Sequence, residues 1–355
     1  MTEIADDLAV PGPRTVLRGF ATGWLVFLAI ALLLYGALCA WSEGLVHRYG
    51  HKNRFFMIAT APPRTYDFAI LGASHAMPVG FEDYNERLER AVGGSIINLS
   101  VEGAGVLPNR LMIDYFYSRH TAGTVVFFLD SFAFYSRQWN EDRLDTALFK
   151  RAPFDPALVE TLMRYSWARR LAPPYVLGFT KVNDQDRFAP DLPDSEINKF
   201  DTTYWDNPQF DRERVAYLYP PKIDQAALRH YLKEFSALID FVHGKGGNFM
   251  VVKPATPPRY RDALPNEAVF NETIGKLLRA RHVPYYDLSS TVADDRYFYD
   301  TDHLNRDGVQ AFMNAGFVAA LQAQAKACPR CARPPGAGSR VGPRGGLQGR
   351  GAMRR

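Results

Sequence analysis

Apolar residues recur along this chain in two rhythms. Short continuous runs lie at 67–72, 95–99, 124–130, 248–252 and 284–288. Their length and their Val, Ile and Phe content suit strands covered on both faces. Between them lie segments with helical periodicity, at 82–92, 107–119, 222–244, 265–281 and 306–325. In the longest, Ala227, Leu228, Tyr231, Leu232, Phe235, Leu238, Ile239 and Phe241 fall on one side at 3.6-residue spacing. Strands alternating with helices predict an α/β fold with a doubly wound parallel sheet of five strands.

Three stretches stand outside this rhythm. The interval 131–220 is rich in aromatics, prolines and aspartates and offers no convincing strand, so it reads as an insertion, or lid, over the strand ends. Residues 19–42 carry no charge, and the run from Trp24 to Leu34 is wholly apolar. About 20 such residues cover roughly 30 Å of hydrocarbon, which predicts a transmembrane helix over 20–42, with Trp24 and Trp41 at its ends. A cleaved signal peptide competes with this reading, but its apolar region is usually about 7–15 residues. Leu38 before Cys39 also spoils a lipoprotein cleavage signal. Arg14 and Arg18 precede the run and Arg48, Lys52 and Arg54 follow it, so charge does not set the orientation. The expected organisation is a cytoplasmic segment (1–19), the span (20–42), a juxtamembrane linker (43–65), a catalytic-type domain (66–326) and a disordered basic tail (327–355).

Composition changes this picture little. With 47% hydrophobic and 13% aromatic residues, the 355-residue chain can bury a sizeable core. The net charge of +4 comes from the tail, where Lys326 to Arg355 hold eight basic residues and no acidic one. The body is therefore slightly acidic, which argues against a nucleic-acid partner. Cys328 and Cys331 form a single CxxC followed by Arg-Pro-Pro-Gly, half a zinc site at most and poor context for a redox motif. His47 and His51 suit interfacial solvation rather than metal binding. No other cluster has ligand spacing, and Gly103-Ala104-Gly105 lacks the rest of a nucleotide loop. No cofactor is expected.

The candidate chemistry sits at two distant points. The first strand runs into Gly72-Ala73-Ser74-His75, which places a serine at the carboxyl end of a strand, where open α/β sheets bind ligands. Far along the chain, Asp300-Thr301-Asp302-His303-Leu304-Asn305 precedes an amphipathic helix, with Asn305 or Asp307 as its cap. An Asp three residues before a His can orient the ring and leave the other nitrogen free to take a serine proton.

Together these blocks resemble the SGNH (GDSL-like) hydrolases. Asn98-Leu99-Ser100-Val101-Glu102-Gly103 after the second strand looks like the family's second block, and the likeness covers roughly 66–325. The resemblance implies a flavodoxin-like five-stranded sheet of the SGNH hydrolase fold. It also implies a triad of Ser74, His303 and Asp300, with the Ser74 and Gly103 amides holding an oxyanion. The chain departs from the pattern in having Ala73 where Asp is usual. It also has Leu129-Asp130-Ser131-Phe132 where the third block supplies an asparagine. Ser131 is the substitute donor available there, and an ionised Asp130 would repel the developing charge. Losing one such donor typically costs about 10²–10³ in rate.

One N-terminal span with Gly-x-Ser-His looks more like the membrane-tethered branch, which includes the D-alanine transfer protein of lipoteichoic acid synthesis and acetylation proteins of exported polysaccharides. That likeness implies a single-pass protein of the plasma membrane, with its domain periplasmic or extracellular. It further implies acyl transfer to a glycan, beside a membrane-bound O-acyltransferase, with a degenerate accessory protein as the alternative. Three further residues are read as substrate contacts: His75, Asp130 and Lys253, with a solvent-facing position on the first turn as the other reading of His75 and a structural salt bridge as that of Lys253. Phe132, Phe134, Tyr135 and Trp139 suit either buried packing or sugar stacking.

Overall fold

The computed structural model describes residues 13–189 and 199–327. Five strands form one parallel sheet: β1 (Thr65–Leu71), β2 (Ile96–Asn98), β3 (Thr121–Phe128), β4 (Asn248–Lys253) and β5 (Tyr285–Asp287). Their order is β2-β1-β3-β4-β5. This is the doubly wound arrangement expected, and the chain changes direction across the sheet between β1 and β3. Ala69 pairs with Ile97 on one side and Val125 on the other, and Val126 pairs with Met250, so β1 and β3 form the sheet's centre.

The helices are α1 (Pro13–Tyr49), α2 (Arg54–Thr60), α3 (Tyr84–Val92), α4 (Val106–Phe116), α5 (Pro156–Arg164), α6 (Ala172–Val176), α7 (Phe179–Val182), α8 (Pro208–Leu218), α9 (Gln225–Gly244), α10 (Pro258–Arg261), α11 (Glu267–Ala280), α12 (Arg306–Phe312) and α13 (Val318–Ala327). Alternate strand residues divide between two cores. Ala69, Leu71, Val125, Phe127, Phe249 and Val251 pack against α4, α9 and α11. Phe68, Ile70, Val126, Phe128, Met250 and Val252 pack against α3, α12 and α13. Strand side chains alternate between faces, so continuous apolar runs are what such a sheet requires. The last helical segment, expected unbroken over 306–325, is divided by a π-helical turn at Met313–Phe317, where Gly316 takes φ 146°.

Two expectations need correction. The interval 131–220 contains no strand among its described residues, but it is more than a cover. Phe132, Phe134, Tyr135, Trp139, Leu144, Phe149, Leu158 and Tyr175 belong to the same core as one sheet face. The four aromatics after β3 are buried, so they supply packing rather than a sugar platform. Residues 43–65 are not a linker either. α1 continues unbroken to Tyr49, and α2 buries Phe55, Phe56 and Ile58 under an Asn53 cap. Burying the apolar side chains of that short helix makes its docking favourable.

α1 is long and apolar enough, over Leu17–Tyr49, to cross a membrane. At 1.5 Å per residue its 37 residues extend about 55 Å. Its last turns pack on the domain: Ser42 and Val46 are buried, and Glu43 pairs with the buried Lys181. The first 12 residues and the CxxC-bearing tail lie outside the described residues.

Candidate active site

β1 ends at Leu71, and the chain turns at once through Gly72 into a short 3₁₀ turn, Ser74–Ala76. Gly72 has φ 150°, and a Cβ there would lie 2.8 Å from the Phe128 Cβ on β3, so only glycine allows this exit. The turn's own bonds begin at the Ala76 N–H, to Ala73 O (3.1 Å), and the Met77 N–H, to Ser74 O (3.1 Å). The Ser74 N–H is thus left unspent by the turn.

His303 reaches the same place from the loop before α12. Its Nε2 lies 2.8 Å from Ser74 Oγ, and its Nδ1 lies 2.9 and 3.0 Å from the two oxygens of Asp300. Asp300 also accepts the backbone N–H groups of Asp302 (3.1 Å) and His303 (2.8 Å), so the loop is wound around this carboxylate. Asn305 caps α12 by accepting the Gly308 N–H at 2.9 Å, and Tyr299 stacks on the His303 ring. Ser74 and His303 are 4% and 2% exposed, whereas the Asp300 side chain is 37% exposed. Burial opposes charge on His303, but the carboxylates of Asp300 and Asp302 outweigh it and raise its pKa above the usual histidine value.

The second-block loop lies alongside. Val101 N–H donates to Gly72 O at 3.3 Å, and Asn98 Nδ2 donates to Ala76 O at 2.8 Å. Gly103 takes φ 63°, and a Cβ on it would meet the Trp139 ring at 2.9 Å. Asn109 on α4, which sequence reasoning missed, ties both loops together. Its Oδ1 accepts the Gly72 N–H at 3.0 Å, and its Nδ2 donates to Ala104 O (3.1 Å) and Gly105 O (2.8 Å).

His75 and Asp130 do not face an open substrate site. His75 is 6% exposed, with Nδ1 2.7 Å from Asp130 Oδ1. Its Nε2 lies 3.2 Å from Asp302 Oδ2, within ion-pair range though not aligned for a hydrogen bond. Burial works against its charge, but Asp130 and Asp302 together push its pKa up to about 10. Asp130 therefore faces an imidazolium, and the expected repulsion of an oxyanion is offset locally.

Ser131 is also turned away from the expected role. It donates to Glu267 Oε2 (2.5 Å) and meets the Tyr219 hydroxyl at 2.7 Å. Lys253 belongs to the same buried network, donating to Glu267 Oε1 (2.6 Å) and Asn271 Oδ1 (2.7 Å), which is its structural reading rather than substrate steering.

Two further residues were not anticipated. Asp302 is fully buried, with Oδ1 3.3 Å from His303 Nδ1. Arg214, on α8 of the insertion, places its Nε 3.1 Å from both Asp302 oxygens and its Nη2 3.5 Å from His303 Nε2. Burial disfavours an ionised Asp302, but His303, Arg214 and His75 reverse this and hold its pKa well below the usual carboxylate range. The adjacency of Asp302 to His303 was a signal in the sequence; nothing marked Arg214. Donor atoms of His75, Asp302 and His303 come within 4.8 Å of one another, close enough to hold a metal ion. Here the guanidinium of Arg214 and the imidazolium of His75 supply the positive charge that Asp302 and Asp130 require.

These features define a doubly wound α/β domain whose hydrogen-bonded Ser–His–Asp chain lies at the sheet's switch point. Among solved structures, the chain is similar to a candidate acylhydrolase from Bacteroides fragilis NCTC 9343, at 10% identity and a TM-score of 0.39, covering 77% of this chain and 94% of that one. It is also similar to a candidate platelet activating factor from Streptococcus pneumonia, at 14% identity and a TM-score of 0.36, covering 82% and 99%. No family model matches the chain, and no curated protein matches it.

Proposed function

We propose that this protein is a membrane-anchored serine esterase or O-acyltransferase that works through an acyl-serine intermediate. One observation carries the reading: a serine hydroxyl and an imidazole 229 residues apart meet at 2.8 Å, with a carboxylate on the far ring nitrogen. In the first step His303 Nε2 takes the Ser74 proton while Ser74 Oγ bonds to the acyl carbon. The ester bond breaks, and the departing alcohol receives the proton from His303. In the second step an acceptor hydroxyl loses its proton to His303, its oxygen takes the acyl group, and Ser74 leaves with the proton. Asp300 keeps Nδ1 protonated and stabilises the imidazolium. The Ser74 and Gly103 N–H groups are the oxyanion donors in this scheme.

Anchoring rests on α1. A helix shed as a signal peptide would take with it the Glu43 partner of buried Lys181, or leave its docked turns without their continuation. This supports a retained span; a domain on the outer side of the plasma membrane and an acyl ester of a surface glycan as substrate are further parts of the proposal. Transfer to a glycan beside a membrane-bound O-acyltransferase is the finer form of the proposal.

A second reading, a non-catalytic domain that binds a glycan or a transferase, is favoured by the commitment of Ser131 to Glu267 and the low exposure of Ser74. A fluorophosphonate probe separates the two. Labelling of the wild-type chain that disappears in a folded Ser74→Ala variant is the result expected of an activated serine. A wild-type chain that resists the probe sinks the enzymatic reading.

A further inference from the structure

The corner between α6 and α7 carries a set of apolar side chains with nothing packed over them. Val176, Leu177 and Phe179 are 46, 60 and 52% exposed, on a segment whose neighbours Ala172, Tyr175 and Thr180 are buried. Contiguous apolar exposure of this kind marks an interaction surface. Its position says with what. The Tyr35 hydroxyl of α1 donates to Leu177 O at 2.8 Å, and Cys39 Sγ approaches the same carbonyl at 3.5 Å. A Cβ on Gly178 would lie 3.0 Å from that sulfur.

Tyr35 and Cys39 belong to the charge-free run of α1. At 1.5 Å per residue Tyr35 lies about 10 Å inside the end of that run, well within the ~15 Å of hydrocarbon in one leaflet. The corner is held against the helix at that depth. Its backbone is also suited to a medium without water, where each polar group needs an internal partner. Leu177 N–H bonds to Pro173 O (2.9 Å), Gly178 N–H to Tyr175 O (3.1 Å), and Gly178 O accepts from Lys181 and Val182. Phe188 packs on Trp41 near the same end of the run, and both rings are about half exposed, as aromatic side chains at a headgroup layer are.

We infer that the α6–α7 corner is a second membrane contact, which inserts Val176, Leu177 and Phe179 into the acyl region of the leaflet beside α1. The occupant is a lipid surface, and the inference rests on the reading of α1 as a membrane span. Two attachments fix a domain's tilt where one leaves it free to swing, so the contact sets which face of the domain the bilayer presents to Ser74 and His303. Interfacial segments of this type bury their apolar side chains about 5–10 Å into the headgroup and acyl boundary.

The test uses the full chain with Cys39, Cys328 and Cys331 changed to Ser, reconstituted in phosphatidylcholine–phosphatidylglycerol vesicles. An environment-sensitive fluorophore is attached in turn to Leu177→Cys, Phe179→Cys, Leu28→Cys within α1, and Lys233→Cys on the exposed side of α9. Brominated acyl chains should quench the labels at 177 and 179 to within about twofold of the label at 28, and leave the label at 233 untouched. Quenching at 28 with water-like, unquenched emission at 177 and 179 overturns the lipid contact while leaving the span intact. Dry emission at 177 and 179 without bromine quenching assigns the corner to a protein neighbour and also overturns it. No quenching at 28 removes the span, and the inference falls with it.

Discussion

Asn109→Ala tests whether the two loops around Ser74 are held by a single buried amide. Asn109 is 2% exposed and bonds to three backbone groups. One of them, Gly105 O, keeps the Asn109 N–H as a partner at 3.3 Å when the side chain is removed. The Gly72 N–H and Ala104 O lose theirs. Each buried group left unsatisfied costs about 1–3 kcal/mol, so the expected loss is about 2–6 kcal/mol. Against a typical total of 5–15 kcal/mol this is large, and for a domain of this size it lowers Tm by about 4–12 °C. The assay is thermal unfolding of the full chain in detergent, followed by near-ultraviolet circular dichroism. Asn109→Asp sharpens it: the acceptor for Gly72 survives, but a carboxylate then faces the Ala104 and Gly105 carbonyls, so stability should not be recovered. Melting of Asn109→Ala within about 1 °C of wild type would refute the reasoning and assign loop placement to packing alone.

Two further outcomes follow from the charge network. His75 has a folded-state pKa of about 10 against an ordinary 6.5, so its contribution to stability is fully present below pH 6.5 and lost as pH rises through 10. Wild-type Tm should therefore fall between pH 7 and 10, and His75→Asn, less stable at neutral pH, should lose that part of the slope; identical slopes in both proteins would exclude the account. Lys253→Met leaves the half-buried Glu267 without its cation, with Ser131 still donating to it, and should cost about 2–4 kcal/mol. Lys253→Met/Glu267→Gln should recover much of this in a denaturant titration, and a Lys253→Met variant of normal stability with a raised KM would instead return the lysine to substrate binding.

Much of the framework was legible because it depends on local pattern. Each strand overlaps one of the five short runs, the central ones apolar and buried though edge β5 is Tyr-Tyr-Asp, and α9 buries Leu228, Tyr231, Phe235, Leu238 and Ile239 from the periodic stripe. Ser74, Asp300 and His303 were also legible, since each sits in a short segment whose turn residues, Gly72 and Asn305, show their purpose in one dimension. The interval 131–220 was not. Its helices are short, and what stabilises them is burial of Phe149, Leu158 and Tyr175 in a core shared with a sheet formed by residues far away in sequence.

The sequence by itself determined the order of strands and helices, the apolar run of α1, and the segments that carry the serine and the histidine. Only the tertiary structure decided that Ser131 and Lys253 turn toward Glu267, that His75 lies between Asp130 and Asp302, and that Arg214 arrives from the insertion. The physical reason is that periodicity records which side of an element is buried, whereas an ion pair depends on the distance and dielectric between groups brought together by folding. Two carboxylates and two cations read as four solvated charges along the chain. With His75 placed 2.7 Å from Asp130 and 3.2 Å from Asp302, and Arg214 3.1 Å from Asp302, they become the structure that surrounds His303.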